Sequence, residues 1–145
     1  MSRTAKLWVV VLCGIVAITC TSCENLFSIE YRIVGSWQVS HTYLNGEEID
    51  STDYIGYAPN TYYNIYADHV MAVLGRYHGE YRESSFAMWV VDQKQKTVNF
   101  QYTFYGKEYD FTASIIKLTK SEFIIEFNDE KGNHWKLQMF TRSRY

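Results

Sequence analysis

Thr97-Val98-Asn99-Phe100-Gln101-Tyr102-Thr103-Phe104 places a large apolar residue at every second position and a polar one between each pair. Successive side chains of an extended chain point to opposite sides, so this period describes a strand with one buried face. The pattern recurs on either side of it. Downstream stand Phe123, Ile125 and Phe127, then Trp135, Leu137 and Met139 interleaved with Lys136 and Gln138. Upstream, Trp37, Val39, His41 and Tyr43 alternate with Gln38, Ser40 and Thr42. The spacing predicts about eight strands, over 36–44, 61–66, 70–75, 86–91, 97–105, 108–118, 122–128 and 134–142. The paired Ile115 and Ile116 break the alternation of the sixth and predict a bulge there. A single proline and a high share of aromatic residues agree with strands rather than helices.

Turn chemistry separates the runs. Asn45-Gly46, Gly106-Lys107 and the stretch 128–133 around Gly132 are places where positive φ or a tight reversal comes easily. Short turns imply antiparallel neighbours. Consecutive antiparallel strands on a short chain form either a sandwich or a closed up-and-down barrel, and closure removes exposed strand edges. The expectation is therefore all-β, an eight-stranded antiparallel up-and-down β-barrel. At this strand number the interior is filled by side chains or just wide enough for one small ligand.

With 145 residues, 47% hydrophobic and 21% charged, the chain fits one domain, expected as a monomer. A net charge of -2, with Lys and Arg scattered, excludes a nucleic-acid partner, whose binding rests on phosphate neutralisation.

The first 23 residues have a character of their own. Arg3 and Lys6 precede an apolar run from Leu7 to Ile18, the length of a signal-peptide core and short of the roughly 20 residues that span a bilayer. An uncleaved transmembrane anchor is the weaker alternative. Ser22 before Cys23 resembles the bacterial lipobox, with Cys20 standing where an aliphatic is usual; Cys20 itself is a lesser acceptor, since Thr19 is bulkier than Ser22. All three cysteines, Cys13, Cys20 and Cys23, fall in this segment, so cleavage before Cys23 leaves one cysteine and no disulfide in the fold. The CxxC spacing of Cys20 and Cys23 lacks the preceding strand of a redox motif. The expected organisation is a signal peptide over 1–22, a lipidated N-terminus and short tether over 23–34, and a barrel domain over 35–145. A lipid on Cys23, with several fatty acyl chains of the palmitate kind, would hold the chain to the cell envelope, foremost the outer membrane of a Gram-negative bacterium. Either the periplasmic or the outer face fits the sequence.

Gly35-Ser36-Trp37, opening the first strand, resembles the GxW signature of the lipocalins and of lipocalin-like domains of bacterial envelope lipoproteins. The likeness extends as a pattern over most of the mature chain: GxW, a long first loop, then a meander. It implies a lipocalin-like barrel in which Trp37 closes the floor and an arginine near the domain's end packs across it, with Arg142 the candidate and Arg144 the second. It also implies a small apolar ligand.

Binding residues are expected where the chain is irregular and aromatic. The connection 50–60, with Tyr54, Ile55 and Tyr57, is a candidate lid. A second long connection is expected over 75–85, with Tyr77, His78 and Tyr81. Thirteen tyrosines offer stacking rings with a hydroxyl each, while tyrosine is also an ordinary strand former. His41 is the one titratable residue on an otherwise apolar strand face, either a ligand contact or a core histidine satisfied by a hydroxyl. The remaining histidines show no zinc spacing, and Glu47, Glu48, Asp50 and Asp53 lack the spacing of a calcium loop, so no metal or cofactor is expected.

No GxSxG elbow, phosphate-cradling glycine loop or nucleophilic cysteine is present, and the chain reads as a non-enzyme. Two functions remain. One is a binding module for a small apolar or aromatic-stacking ligand, lined by His41, Tyr43, Tyr63, Tyr102 and Trp135 with Tyr54 and Tyr57 on the lid. The other is a packed barrel that contacts another envelope protein or a glycan.

Overall fold

A computed structural model describes residues 28–50 and 56–143. Among the described residues, ten strands follow one helical turn, α1 (Ile29–Arg32). They are β1 (Gly35–Leu44), β2 (Glu47–Ile49), β3 (Tyr62–Ile65), β4 (Met71–Tyr77), β5 (Glu80–Glu83), β6 (Ser85–Asp92), β7 (Thr97–Phe104), β8 (Lys107–Leu118), β9 (Glu122–Asn128) and β10 (His134–Ser143). All pairings are antiparallel, in the order β5-β4-β3-β1-β10-β9-β8-β7-β6, with β2 a hairpin arm on β1. The sheet curls until its two ends nearly meet, a lipocalin-like barrel.

The seam lies between β4 and β6. A single bridge joins Val70 to Met88, and the His69 carbonyl accepts from the Trp89 backbone N–H at 3.0 Å. The Trp89 indole, fully buried, donates to the Tyr66 carbonyl at 2.9 Å and the Val70 carbonyl at 3.2 Å. One side chain thus holds together edges that the backbone ladder leaves open.

The alternation seen in the sequence sorts residues between core and surface. In β7, Val98, Phe100, Tyr102 and Phe104 are buried and the residues between them are half-exposed. β9 and β10 repeat this with Phe123, Ile125, Phe127, Trp135, Leu137 and Met139. The expected bulge in β8 is present: Ile115 faces Ile125 and Lys117 faces Ile124, so Ile116 is the extra residue and Leu118 returns to the core.

Besides α1, which lies inside the expected tether, and β2, which was not expected, two features depart from expectation. The segment 75–85 is a hairpin, because His78 and Gly79 both take positive φ (50° and 82°) and turn β4 directly into β5. Tyr81 lies on that hairpin's surface, 5.8 Å from the Tyr62 ring and 5.2 Å from the Arg76 guanidinium. The second departure is in β1, where Val39 faces Met139 but His41 faces Gln138. Ser40 is therefore an extra residue, and the inward phase passes from His41 to Thr42.

The lower end is closed by α1. Ser28 caps it by accepting from the Tyr31 N–H, and Ile29 and Ile33 enter the core. The Ile29 N–H donates to Gln93 Oε1 at 2.9 Å, and the Arg32 guanidinium donates to the Leu118 carbonyl. Trp37, fully buried, donates its indole N–H to the Ile33 carbonyl at 2.8 Å and packs on Phe123 at 5.3 Å. Gly35, with φ 152°, is buried where the chain passes from the helix into β1. The expected arginine over Trp37 is not Arg142. Thr141 is the residue opposite Trp37, so Arg142 falls on the outer face, with its guanidinium 5.9 Å from the Tyr62 ring. Arg144 lies outside the described residues.

Candidate functional site

The upper half of the barrel gathers most of the aromatic rings, and the strand registers put them there. A two-residue turn at Tyr105-Gly106, both at positive φ, obliges Tyr102 to face Tyr109 and Phe100 to face Phe111. Tyr102 and Tyr109 stack at 4.8 Å and 17°, and Phe111 stacks on Phe127 of β9 at 4.1 Å and 24°. Trp135, opposite Phe127, completes the wall and anchors its indole N–H on Asp129 Oδ2 at 2.9 Å. Asp129 also accepts from the backbone N–H groups of Lys131 and Asn133. Burial pushes the Asp129 carboxyl up, but these hydrogen bonds outweigh it and hold the group below its ordinary value.

Into this wall drops the end of the loop before β3. Tyr57 sits within 4.9–5.7 Å of the Trp135, Phe127, Phe111 and Tyr109 rings, edge-on or tilted to each. Edge-to-face contact is the favourable way for rings to meet, since the positive rim of one faces the negative face of another. The loop is held by its backbone. Thr42 Oγ1 donates to the Tyr57 carbonyl, Tyr63 donates its hydroxyl to the Gly56 carbonyl, and the Val39 carbonyl accepts from the Asn60 N–H at 2.8 Å. Gly56, at φ 89°, is the residue that allows this approach.

Burial raises the Tyr57, Tyr63 and Tyr102 hydroxyls above the ordinary tyrosine range, with neighbouring tyrosines adding to the effect on Tyr57 and Tyr102. Tyr109 is raised by burial alone. The Tyr102 hydroxyl is buried beside that of Tyr63 and makes no well-formed hydrogen bond. Such a group recovers only part of its lost hydration, the full penalty for an unpaired one being about 1–3 kcal/mol.

Four of the expected ligand residues, Tyr57, Tyr63, Tyr102 and Trp135, thus meet in one place. His41 and Tyr43 do not. The Ser40 bulge turns His41 to the surface, where Nδ1 meets Glu48 Oε1 of β2. Tyr43 lies on the outside under Lys136, whose Nζ stands 5.5 Å from its ring. It borders a shallow outer cleft of about 360 Å³ with Gly46, Glu126, His134 and Lys136. Tyr54 and Cys23 lie outside the described residues. Tyr109, Phe111 and Phe127 belong to the site although composition gave no reason to select them. The signal for Tyr109 and Phe111 was the short turn at Gly106, which pairs β8 residue by residue with β7; for Phe127 it was the alternation of β9.

Among the described residues no three His, Cys, Asp or Glu side chains form a metal-sized group, and no helix is long and apolar enough to cross a membrane. Compared with known proteins, the chain matches no family model, no curated protein and no solved structure.

Proposed function

We propose that this chain is an envelope lipoprotein, anchored by a lipid on Cys23, whose barrel binds a small ligand that stacks on aromatic rings in its upper half. The carrying observation is the Tyr102 hydroxyl, buried without a well-formed hydrogen bond against the loop that carries Tyr57. A ligand with a hydrogen-bond acceptor would supply the missing bond, while the Tyr102–Tyr109 and Phe111–Phe127 stacks and Trp135 offer flat apolar walls. Tyr57 occupies the space among these walls and is the group a ligand would displace. Its ring then serves as a plug, exchanged for the ligand ring, so that the exchange keeps the walls covered.

The filled ring cluster also favours a second reading, in which the barrel is a rigid body that contacts another envelope component. Native mass spectrometry of the chain isolated from its own host separates the two. A bound small mass that is lost on denaturation, and is retained less by Tyr102→Phe, supports the ligand reading. An unliganded mass, unchanged after exposure to host lipid and glycan extracts, overturns it in favour of the second. The same spectrum reads the lipid on Cys23.

A further inference from the structure

Most strands of the barrel are apolar on one face only, but β6 is apolar on both. Between Ser85 and Asp92 its residues are Phe86, Ala87, Met88, Trp89, Val90 and Val91, with no charge among them. Trp89 is buried inward, whereas Phe86, Met88 and Val90 are 88%, 48% and 53% exposed. Val70, 51% exposed, lies opposite Met88 across the seam, and half-exposed Tyr66 is hydrogen-bonded to it through the backbone. Exposed edges are ordinarily guarded by charged residues, and contiguous apolar patches on a monomer mark contact surfaces. Phe86 adds a second sign. It is held at φ 49°, in the left-handed region that a bulky residue rarely adopts, by the register shift between Ser85 and Met88. The backbone is strained to present an aromatic ring to the outside.

We propose that this seam face docks on the apolar boundary of a lipid bilayer, so that the barrel lies on its side on the membrane. The proposal rests on the lipid anchor at Cys23, and the argument for that occupant is where the chain enters the fold. Ser28 is the fifth residue after Cys23, a reach of at most about 17 Å. The helix that follows is fastened to this same side of the barrel. The Ile29 N–H bonds Gln93, just past the end of β6, and Glu30 pairs with His69, the residue before Val70, at 2.9 Å. A lipid on Cys23 therefore holds the β6 face, rather than the Tyr57 end, next to the bilayer. The length from Phe86 to Asp92, roughly 20 Å at the strand rise, is comparable with that reach. Lys94 and Lys96 at the lower end of β6 are matched by Glu30, Asp68 and Asp92, so no basic surplus marks an anionic surface. Apolar insertion, indifferent to lipid charge and salt, is what the face offers.

The test uses the full chain, processed in a bacterial host, with nitroxide labels at Phe86→Cys and Met88→Cys and a reference label at Lys136→Cys on β10, the strand farthest from β6 around the barrel. Mass spectrometry first reads the lipid on Cys23, and phosphatidylcholine vesicles serve as the probe membrane. Labels at 86 and 88 are expected to be several-fold more accessible to oxygen, and several-fold less accessible to an aqueous nickel chelate, than the label at 136. The contrast should survive 0.5 M salt, roughly the regime in which screening removes surface attraction. Equal accessibility of all three labels to the chelate overturns the docking face, even where Cys23 carries lipid. Mutual broadening of Phe86 labels from two copies also overturns it, in favour of a self-interface. Labels in the lipid on a chain with no acyl mass keep the docking face and remove the anchor.

Discussion

Gly56 lies so close to Tyr102 that a β-carbon added to it would fall 2.5 Å from the Tyr102 hydroxyl and 3.3 Å from the ring carbons beside it. The loop backbone and the buried ring are therefore fitted to each other. Gly56→Ala meets two penalties, a left-handed φ of 89° and the collision itself. Together these should cost roughly 2–4 kcal/mol in urea unfolding. Tyr102→Phe removes a buried, poorly bonded hydroxyl and should leave stability unchanged or raise it by about 1 kcal/mol. In the Phe background Gly56→Ala should cost less, on the order of 1 kcal/mol less, because the nearest obstacle has gone. Strict additivity in this cycle would show that the loop does not press on Tyr102.

Alkaline stability follows from the same cluster. The Tyr57, Tyr63 and Tyr102 hydroxyls are raised by burial, so in the folded protein they stay protonated at a pH where the unfolded chain ionises. Their contribution is complete below the unfolded tyrosine pKa of about 10 and is lost progressively as pH rises above it. Absorbance at 295 nm should show a set of tyrosines that ionises only together with alkaline unfolding. In Tyr102→Phe that late set should shrink and the unfolding midpoint should move to higher pH. A single smooth titration of all tyrosines, finished before circular dichroism reports unfolding, would contradict the buried cluster.

Trp37 and Arg142 make an instructive contrast, since the family likeness joins them and the strand register separates them. Trp37→Ala empties the fully buried floor and leaves the Ile33 carbonyl without its indole donor, so a loss of about 3–5 kcal/mol is expected. Arg142→Ala removes one exposed guanidinium from the Tyr62 ring, a contact worth about 0.5–1 kcal/mol at the surface. Comparable losses for the two in guanidinium unfolding would mean that Arg142 supports the floor after all.

How far the sequence carried the fold depended on whether neighbouring residues or distant ones decided the outcome. The eight long strands and the β8 bulge were legible because alternation, and its interruption at Ile115-Ile116, are local. The hairpin β4–β5 was hidden because His78-Gly79 carries its turn in two backbone angles, while the residues around it read as a polar aromatic loop. His41 and Tyr43 were misassigned for a subtler reason. Trp37 to Tyr43 alternates without a flaw, and nothing in those seven residues signals that Ser40 is surplus; the bulge is set by the partner strand, where Met139 and Gln138 face Val39 and His41. A one-residue slip transfers every later side chain to the other face. The aromatic cluster was half legible, since Tyr63, Tyr102 and Trp135 are simply inward strand positions, whereas Tyr109 and Phe111 required the turn at Gly106 to be centred correctly.

That slip has a functional consequence, because it is what delivers Thr42 to the interior. Thr42 is fully buried, and its Oγ1 donates to the carbonyl of Tyr57, the residue that plugs the ring cluster. The hydroxyl is thus a latch between the first strand and the plug. Thr42→Val keeps the volume and loses the donor, leaving a buried carbonyl short of its bond at a cost of about 1–2 kcal/mol. Most of that loss should appear locally. Backbone amides of 56–61 should exchange hydrogen several-fold faster while those of β7 to β10 remain protected, since their ladders are untouched. If Tyr57 is the group that a ligand displaces, the same variant should take up the host-derived ligand faster than the native chain, because part of the cost of moving the plug has already been met. Faster exchange with no change in uptake would keep the latch and detach it from ligand entry. Unchanged exchange over 56–61 would show that Tyr57 is held by its rings alone.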